Sequence, residues 1–155
     1  MEKQRSSRTC FLCGQQNPVG LKVSWYNDHS AQKVVATVVV PDRFNSYPGL
    51  VHGGIVAALL DETAGRALLL DGGDDQLMVT LKIEVKYRQP TPTDQPLTLS
   101  GWVLQRAASR ARVASEIRLA DGTLTAEAQA VLVRPGPQLY QRWEPEKPFW
   151  RVYDD

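Results

Sequence analysis

Two short segments of this chain carry residues that could do chemistry together. One is His52-Gly53-Gly54 and the other is Asp61-Glu62. The glycines open a run rich in alanine and leucine, so His52-Gly53-Gly54 is expected at the start of a helix. The first N–H groups of a helix have no intrahelical acceptor and lie at the positive end of its dipole. Glycine lets a substrate carbonyl come close to them. That arrangement suits a developing oxyanion, with Gly53 as donor and Gly54 beside it. A glycine turn that merely starts a helix reads equally well from these residues alone.

Asp61 and Glu62 fall in mid-helix among Leu59, Leu60 and Ala64. Aspartate is a poor helix-interior residue, and charged side chains are rarely buried without cause. Asp61 is therefore read as an acid in a cleft, where desolvation raises a carboxyl pKa and fits it for general-base or nucleophilic work. Glu62 reads first as the i,i+4 partner of Arg66. At 1.5 Å per residue, Gly53 and Asp61 are about 12 Å apart along the helix axis. One substrate carbonyl cannot touch both. If the two act together, the site must be shared between antiparallel helices of an isologous dimer.

Cys10 and Cys13 make a third candidate. A lone C-x-x-C lacks the two further ligands of a closed zinc site, and His29 and His52 are the only histidines. The following Gly14-Gln15-Gln16-Asn17-Pro18 is a turn, where a redox motif would enter a helix. The expectation is a structural pair with no metal and no cofactor, a metal shared between two chains being the alternative.

These residues need elements to position them. Gly20–Tyr26 alternates apolar and other positions, and Val34–Val40 is a β-branched run closed by Pro41; both read as strands. Residues 41–51, with Pro48 and Gly49, read as a loop. Gly53 to about Leu70 is a helix, apolar nearly all round and ended by Asp71-Gly72-Gly73. Strands follow over Leu77–Arg88, Leu97–Leu104, Ala111–Leu119 and Leu124–Leu132, with Asp121-Gly122 as a hairpin turn. The face Ala126, Ala128, Ala130 is small enough for a helix to approach closely. The order β-β-α-β-β-β-β has one antiparallel sheet to bury one apolar helix, and wrapping the sheet round it is the economical solution. The predicted class is α+β, with the hot-dog architecture. Residues 1–19 form a leader with a frayed start, 20–134 the domain, and 135–155 a proline- and aromatic-rich tail expected to lie in extended form over the sheet or a partner subunit.

The bulk numbers agree with one folded domain: 155 residues, 43% hydrophobic, 23% charged, formal net charge +1. That balance argues against nucleic acid as partner. No run is long and apolar enough to span a bilayer, and residues 1–9 are polar, so no membrane partner and a cytoplasmic location are expected.

The stretch FNSYPGLVHGGIVAALLDETAG, residues 44–65, closely resembles the hot-dog acyl-CoA thioesterases of the phenylacetate-pathway type. His52-Gly53-Gly54 followed after six residues by Asp61 resembles that family's active-site signature. The likeness extends through VTLKIEVKYR, residues 79–88, covers most of residues 10–133, and includes the opening CFLCGQQNP of residues 10–18. It implies hydrolysis of an acyl-CoA-type thioester by a homodimer, or a homotetramer built as a dimer of dimers. Asp61 would be the catalytic carboxylate, Gly53 the N–H that polarises the carbonyl, His52 the neighbour of the thioester, and Thr80 a hydroxyl that positions the nucleophile. Asn45, Gly54 and Glu62 would border the substrate. Strict alternation puts Thr80 on the outer face with Lys82 and Glu84, so reaching Asp61 requires a bulge. Lys82, Lys86, Arg88, Arg106, Arg110 and Arg112 could meet the phosphates of CoA, though most read as an ordinary solvated face. The alternatives are a hot-dog dehydratase or hydratase, for which no histidine lies near Arg43, and a non-catalytic acyl-CoA binding protein.

Overall fold

The structure is a computed structural model that describes residues 1–73 and 77–154. The main sheet takes β1 (Glu2–Lys3), β2 (Trp25–Asp28), β3 (Lys33–Val39), β6 (Val79–Tyr87), β7 (Pro96–Arg106), β8 (Arg110–Leu119) and β9 (Leu124–Val133). Their order across the sheet is β1-β2-β3-β7-β8-β9-β6, every pairing antiparallel. A separate small hairpin joins β4 (Asn45–Tyr47) to β5 (Leu50–Val51). Helix α1 (Gly53–Ala67) packs on β7, β8 and β9, which is the predicted hot-dog architecture.

The helix is held close for a physical reason. Val56, Leu59, Leu60, Ala64 and Ala67 bury fully against the sheet, while Ala126, Ala128 and Ala130 offer it small side chains. At Gly101 on β7 the approach is tighter still: a Cβ there would stand 2.7 Å from the Thr63 carbonyl oxygen and 3.0 Å from Thr63 Cγ2. The buried polar atoms in this contact are paired. Thr63 Oγ1 donates to the Leu59 carbonyl (2.7 Å) and accepts from Trp25 Nε1 (3.1 Å), and Ser115 Oγ donates to the Leu60 carbonyl (2.9 Å). The predicted Asp121-Gly122 turn joins β8 to β9, with Gly122 at φ +87°.

Several expectations from the sequence are corrected. Helix α1 ends at Ala67, three residues early, because its last carbonyls pass into tighter turns through Leu68–Leu70. Residues 20–24 are not strand: Leu21 and Val23 donate instead to the carbonyls of Phe11 and Leu12, so the strand begins at Trp25. The chain start is not frayed. Glu2–Lys3 pairs with Tyr26–Asn27, Gln4 donates to the Trp25 carbonyl, and Ser6 bridges to Arg151. The tail is largely helical, with α2 (Pro137–Trp143) and a 3-10 turn at Glu144–Phe149. It packs on the leader through Arg8, which pairs with Glu146 (2.7 Å) and lies over the Phe149 ring (3.9 Å). The loop at 41–51 contains a 3-10 turn and the β4–β5 hairpin.

Because the helix and sheet meet backbone to backbone at Gly101, Gly101→Ala should destabilise the fold by about 1–3 kcal/mol, the usual range for overpacking. Chemical denaturation would measure this, and an unchanged midpoint would show that α1 does not seat on β7 at this point.

Candidate active site

Asp61 lies half-buried on the flank of α1 that faces β6. Its Oδ1 accepts a 2.6 Å hydrogen bond from Thr80 Oγ1. The bulge that alternation requires is present: β6 and β9 shift register between Thr80 and Lys82. The extra residue reverses the parity of the strand. Thr80 therefore shares the inner side with Ile83, Val85 and Tyr87, while Val79 and Leu81 are left exposed (39% and 58%), contrary to the simple alternating pattern.

The helix start lies at the far end of α1. His52 caps it, its Nδ1 accepting from the Gly54 N–H (2.9 Å), and the His52 carbonyl accepts from Ile55 and Val56. Gly53 is left as the first-turn donor with no acceptor among the described residues. Gly54 is thereby taken up by the cap. Tyr87, not singled out from the sequence, donates its hydroxyl to the Gly53 carbonyl (2.7 Å) and packs over it. Alternation with Ile83 and Val85 already puts Tyr87 on the inner face, but nothing local in the sequence shows that it meets Gly53. Asn45 gives its amide to Asp42 Oδ2 (2.9 Å). Asp42 Oδ1 also accepts from the Gly49 N–H and the Thr93 hydroxyl, and these donors, Gly49 first, hold its carboxyl below the ordinary range. Asn45 thus braces the loop whose Phe44 carbonyl receives the His52 N–H.

A cavity of about 630 Å³ opens beside Asp61, Glu62 and Thr80. That volume suits a small-molecule ligand. Leu77, Met78 and Leu132 form one wall; the tail supplies another through Leu139, Tyr140 and Trp143. Asn45, His52, Gly53 and Gly54 do not line it. A single chain therefore brings together Asp61, Thr80 and Glu62 and keeps the helix start apart from them.

Glu62 pairs with Arg66 as the spacing predicts, Oε1 to Nε at 2.8 Å. Arg66 is almost fully buried, between the rings of Trp25 and Trp150. Cys10 and Cys13 border the same cavity as free thiols. The Cys10 hydrogen bond draws the Cys13 thiol down to about 6, with the Arg66 charge assisting and burial opposing. Cys10 moves the other way, pushed up as the donor of that bond and by burial.

The sequence pattern of the thioesterase superfamily matches residues 48–126. The acyl-coenzyme A thioesterase THEM4 of Rattus norvegicus is 22% identical over 137 residues, 88% of this chain and 58% of that protein. The chain thus spans less than two thirds of the length of this relative. A crystal structure of a thioesterase superfamily protein superposes with a TM-score of 0.74 at 30% identity, covering 81% of this chain and 60% of that one. A hypothetical thioesterase of Streptococcus pneumoniae, crystallised with coenzyme A, gives a TM-score of 0.61 at 25% identity, over 67% of this chain and 79% of that one.

The thiol pair offers a direct test of the cavity's electrostatics. In reduced protein freed of metals by chelation, thiolate absorbance should rise near pH 6 for one cysteine while the second stays protonated well above its ordinary range. The early step should vanish in Cys13→Ser. Two thiols titrating together near the ordinary value would remove the Cys10–Cys13 interaction as a control on the pair.

Proposed function

This chain belongs to the thioesterase superfamily, and from that premise we propose that it hydrolyses an acyl-CoA-type thioester, with Asp61 as the acting carboxylate. One observation carries the reading: Asp61 stands at the wall of a largely apolar cavity, its Oδ1 fixed by Thr80. A carboxylate held by one oxygen keeps the other for a water molecule or for the substrate itself. As general base, Asp61 takes a proton from water while the hydroxide oxygen adds to the thioester carbonyl carbon. The tetrahedral oxyanion collapses with loss of the C–S bond, and the thiolate leaves with a proton as the free thiol. As nucleophile, Asp61 would form an acyl anhydride that water then opens. The Gly53 N–H is the donor suited to the oxyanion.

Gly53 and Asp61 lie about 12 Å apart along one helix, so the donor must come from a second copy. β6 supports this. It ends the sheet as an edge strand, with Val79, Leu81 and Tyr87 exposed, and such an edge invites pairing with another chain. The proposed unit is a homodimer, or a tetramer of two such dimers. The cavity walls favour an apolar or aromatic acyl group. THEM4 is named an acyl-coenzyme A thioesterase and the Streptococcus pneumoniae protein carries coenzyme A, which favours CoA as the thiol half. The two free thiols fit a reducing compartment such as the cytoplasm, and no helix among the described residues is long and apolar enough to cross a membrane.

Thiol release from a panel of aliphatic and aromatic acyl-CoAs tests the proposal. Wild-type protein should hydrolyse at least one member, and Asp61→Asn should lower kcat about a hundredfold or more. Thr80→Val, which removes one hydrogen bond to a charged group, should cost about tenfold. Equal rates for Asp61→Asn and wild type would remove Asp61 from the mechanism. Tight acyl-CoA binding without turnover would make the chain a binding protein.

A further inference from the structure

We infer that Cys10, Cys13 and Glu62 form a divalent metal site suited to zinc, one residue along α1 from Asp61. The inference is independent of the thioesterase reading. The ligand atoms of the three residues lie within 4.8 Å of one another. Two thiolate sulfurs on a tetrahedral zinc, each about 2.3 Å from the ion, stand about 3.8 Å apart. A spacing within 4.8 Å is of the same order. Counted along the sequence, the pair lacks further ligands, because a search for histidines or cysteines passes over a glutamate 49 positions beyond Cys13. The fold supplies that glutamate.

The surroundings are built as a metal site's would be. The Gly14 N–H closes the turn onto the Cys10 carbonyl (2.8 Å), and a Cβ at Gly14 would lie 2.3 Å from that oxygen, so the turn requires glycine. Backbone N–H groups point at both sulfurs: Leu12 to Cys10 Sγ (3.3 Å) and Ser7 to Cys13 Sγ (3.5 Å). Such bonds favour the thiolate, which is the form that binds metal. Arg66 holds Glu62 by one carboxylate oxygen, fixing its orientation as outer partners of metal ligands do.

Charge selects the ion. Two thiolates and one carboxylate carry three negative charges, and the buried Arg66 guanidinium offsets one. A dication brings the cluster to neutrality, whereas a monocation leaves it one charge short. Thiolate donors favour zinc over magnesium or calcium. Three protein ligands leave one tetrahedral position, and the cavity these residues line can supply a water there. Binding displaces to solvent the protons that the thiols still carry, chiefly that of Cys10, with no change in oxidation state. The ion would pin the leader to α1 beside the candidate catalytic acid.

Cobalt(II) titration of the chelator-treated, reduced full-length chain, together with metal analysis of the protein as purified, tests the site. We expect one equivalent of cobalt per chain, an ultraviolet thiolate-to-cobalt charge-transfer band, and displacement of that band by one equivalent of zinc. Cys13→Ser should abolish the band. Glu62→Gln should keep a weaker sulfur band and lower affinity tenfold or more. Chelation of the metal should lower the thermal midpoint of wild type but not of Cys13→Ser. The wild-type titration needs no variant to fold. Absence of any band, with both thiols reactive to a thiol reagent, would overturn the proposal. So would a pair isolated as a disulfide that binds no metal after reduction, or a cobalt affinity indifferent to Glu62→Gln.

Discussion

Covering α1 is the constraint from which the rest of the structure follows. Val56, Leu59, Leu60 and Ala64 have essentially no exposure, and a helix this apolar is unstable in water without a partner on several sides. One curved sheet supplies most of that cover. The sheet can come close because β9 presents alanines and β7 presents Gly101 where the Thr63 backbone arrives. Hydroxyls at Thr63 and Ser115 take up the carbonyls of α1, so the tight seat leaves those groups paired.

Charged residues on such a helix have one place to go, the flank the central strands do not cover. Asp61, Glu62 and Arg66 all lie there. Asp61 faces the bulge of β6. Glu62 and Arg66 face the leader and the tail, and Arg66 is buried between Trp25 and Trp150 with Glu62 as its counter-ion. A buried guanidinium without that partner would be strongly unfavourable, so the two termini and the ion pair depend on each other. The leader and tail thus wall the cavity as well as close the fold. Arg8 ties them together through Glu146 and Phe149.

The bulge in β6 has consequences at both ends of α1. By reversing strand parity it turns Thr80 toward Asp61 and keeps Tyr87 over Gly53, so one irregularity serves both candidate functional segments. It also turns Val79 and Leu81 outward along an edge that no other strand among the described residues covers.

Much of this was written in the sequence. The run rich in alanine and leucine from Gly53 to about Leu70 marked the helix, apolar runs and alternation marked the strands of β7, β8 and β9, and Asp121-Gly122 marked the β8–β9 hairpin, because these patterns depend on neighbours a few residues apart. His52-Gly53-Gly54 and Asp61 stood out for the same local reason. Tertiary structure decided what depends on distant segments. The bulge set by pairing with β9 turned Thr80 inward against strict alternation, and folding brought the inward-facing Tyr87 onto Gly53. Packing against Trp25 and Trp150 buried Arg66. Residues 1–6 became ordered by pairing with β2 and with Arg151, and the tail coiled into helix on the leader. Asn45 was committed to Asp42 by a loop whose geometry no spacing reveals. Glu62 met Cys10 and Cys13 because folding carried the leader across α1, and sequence separation holds no trace of that approach.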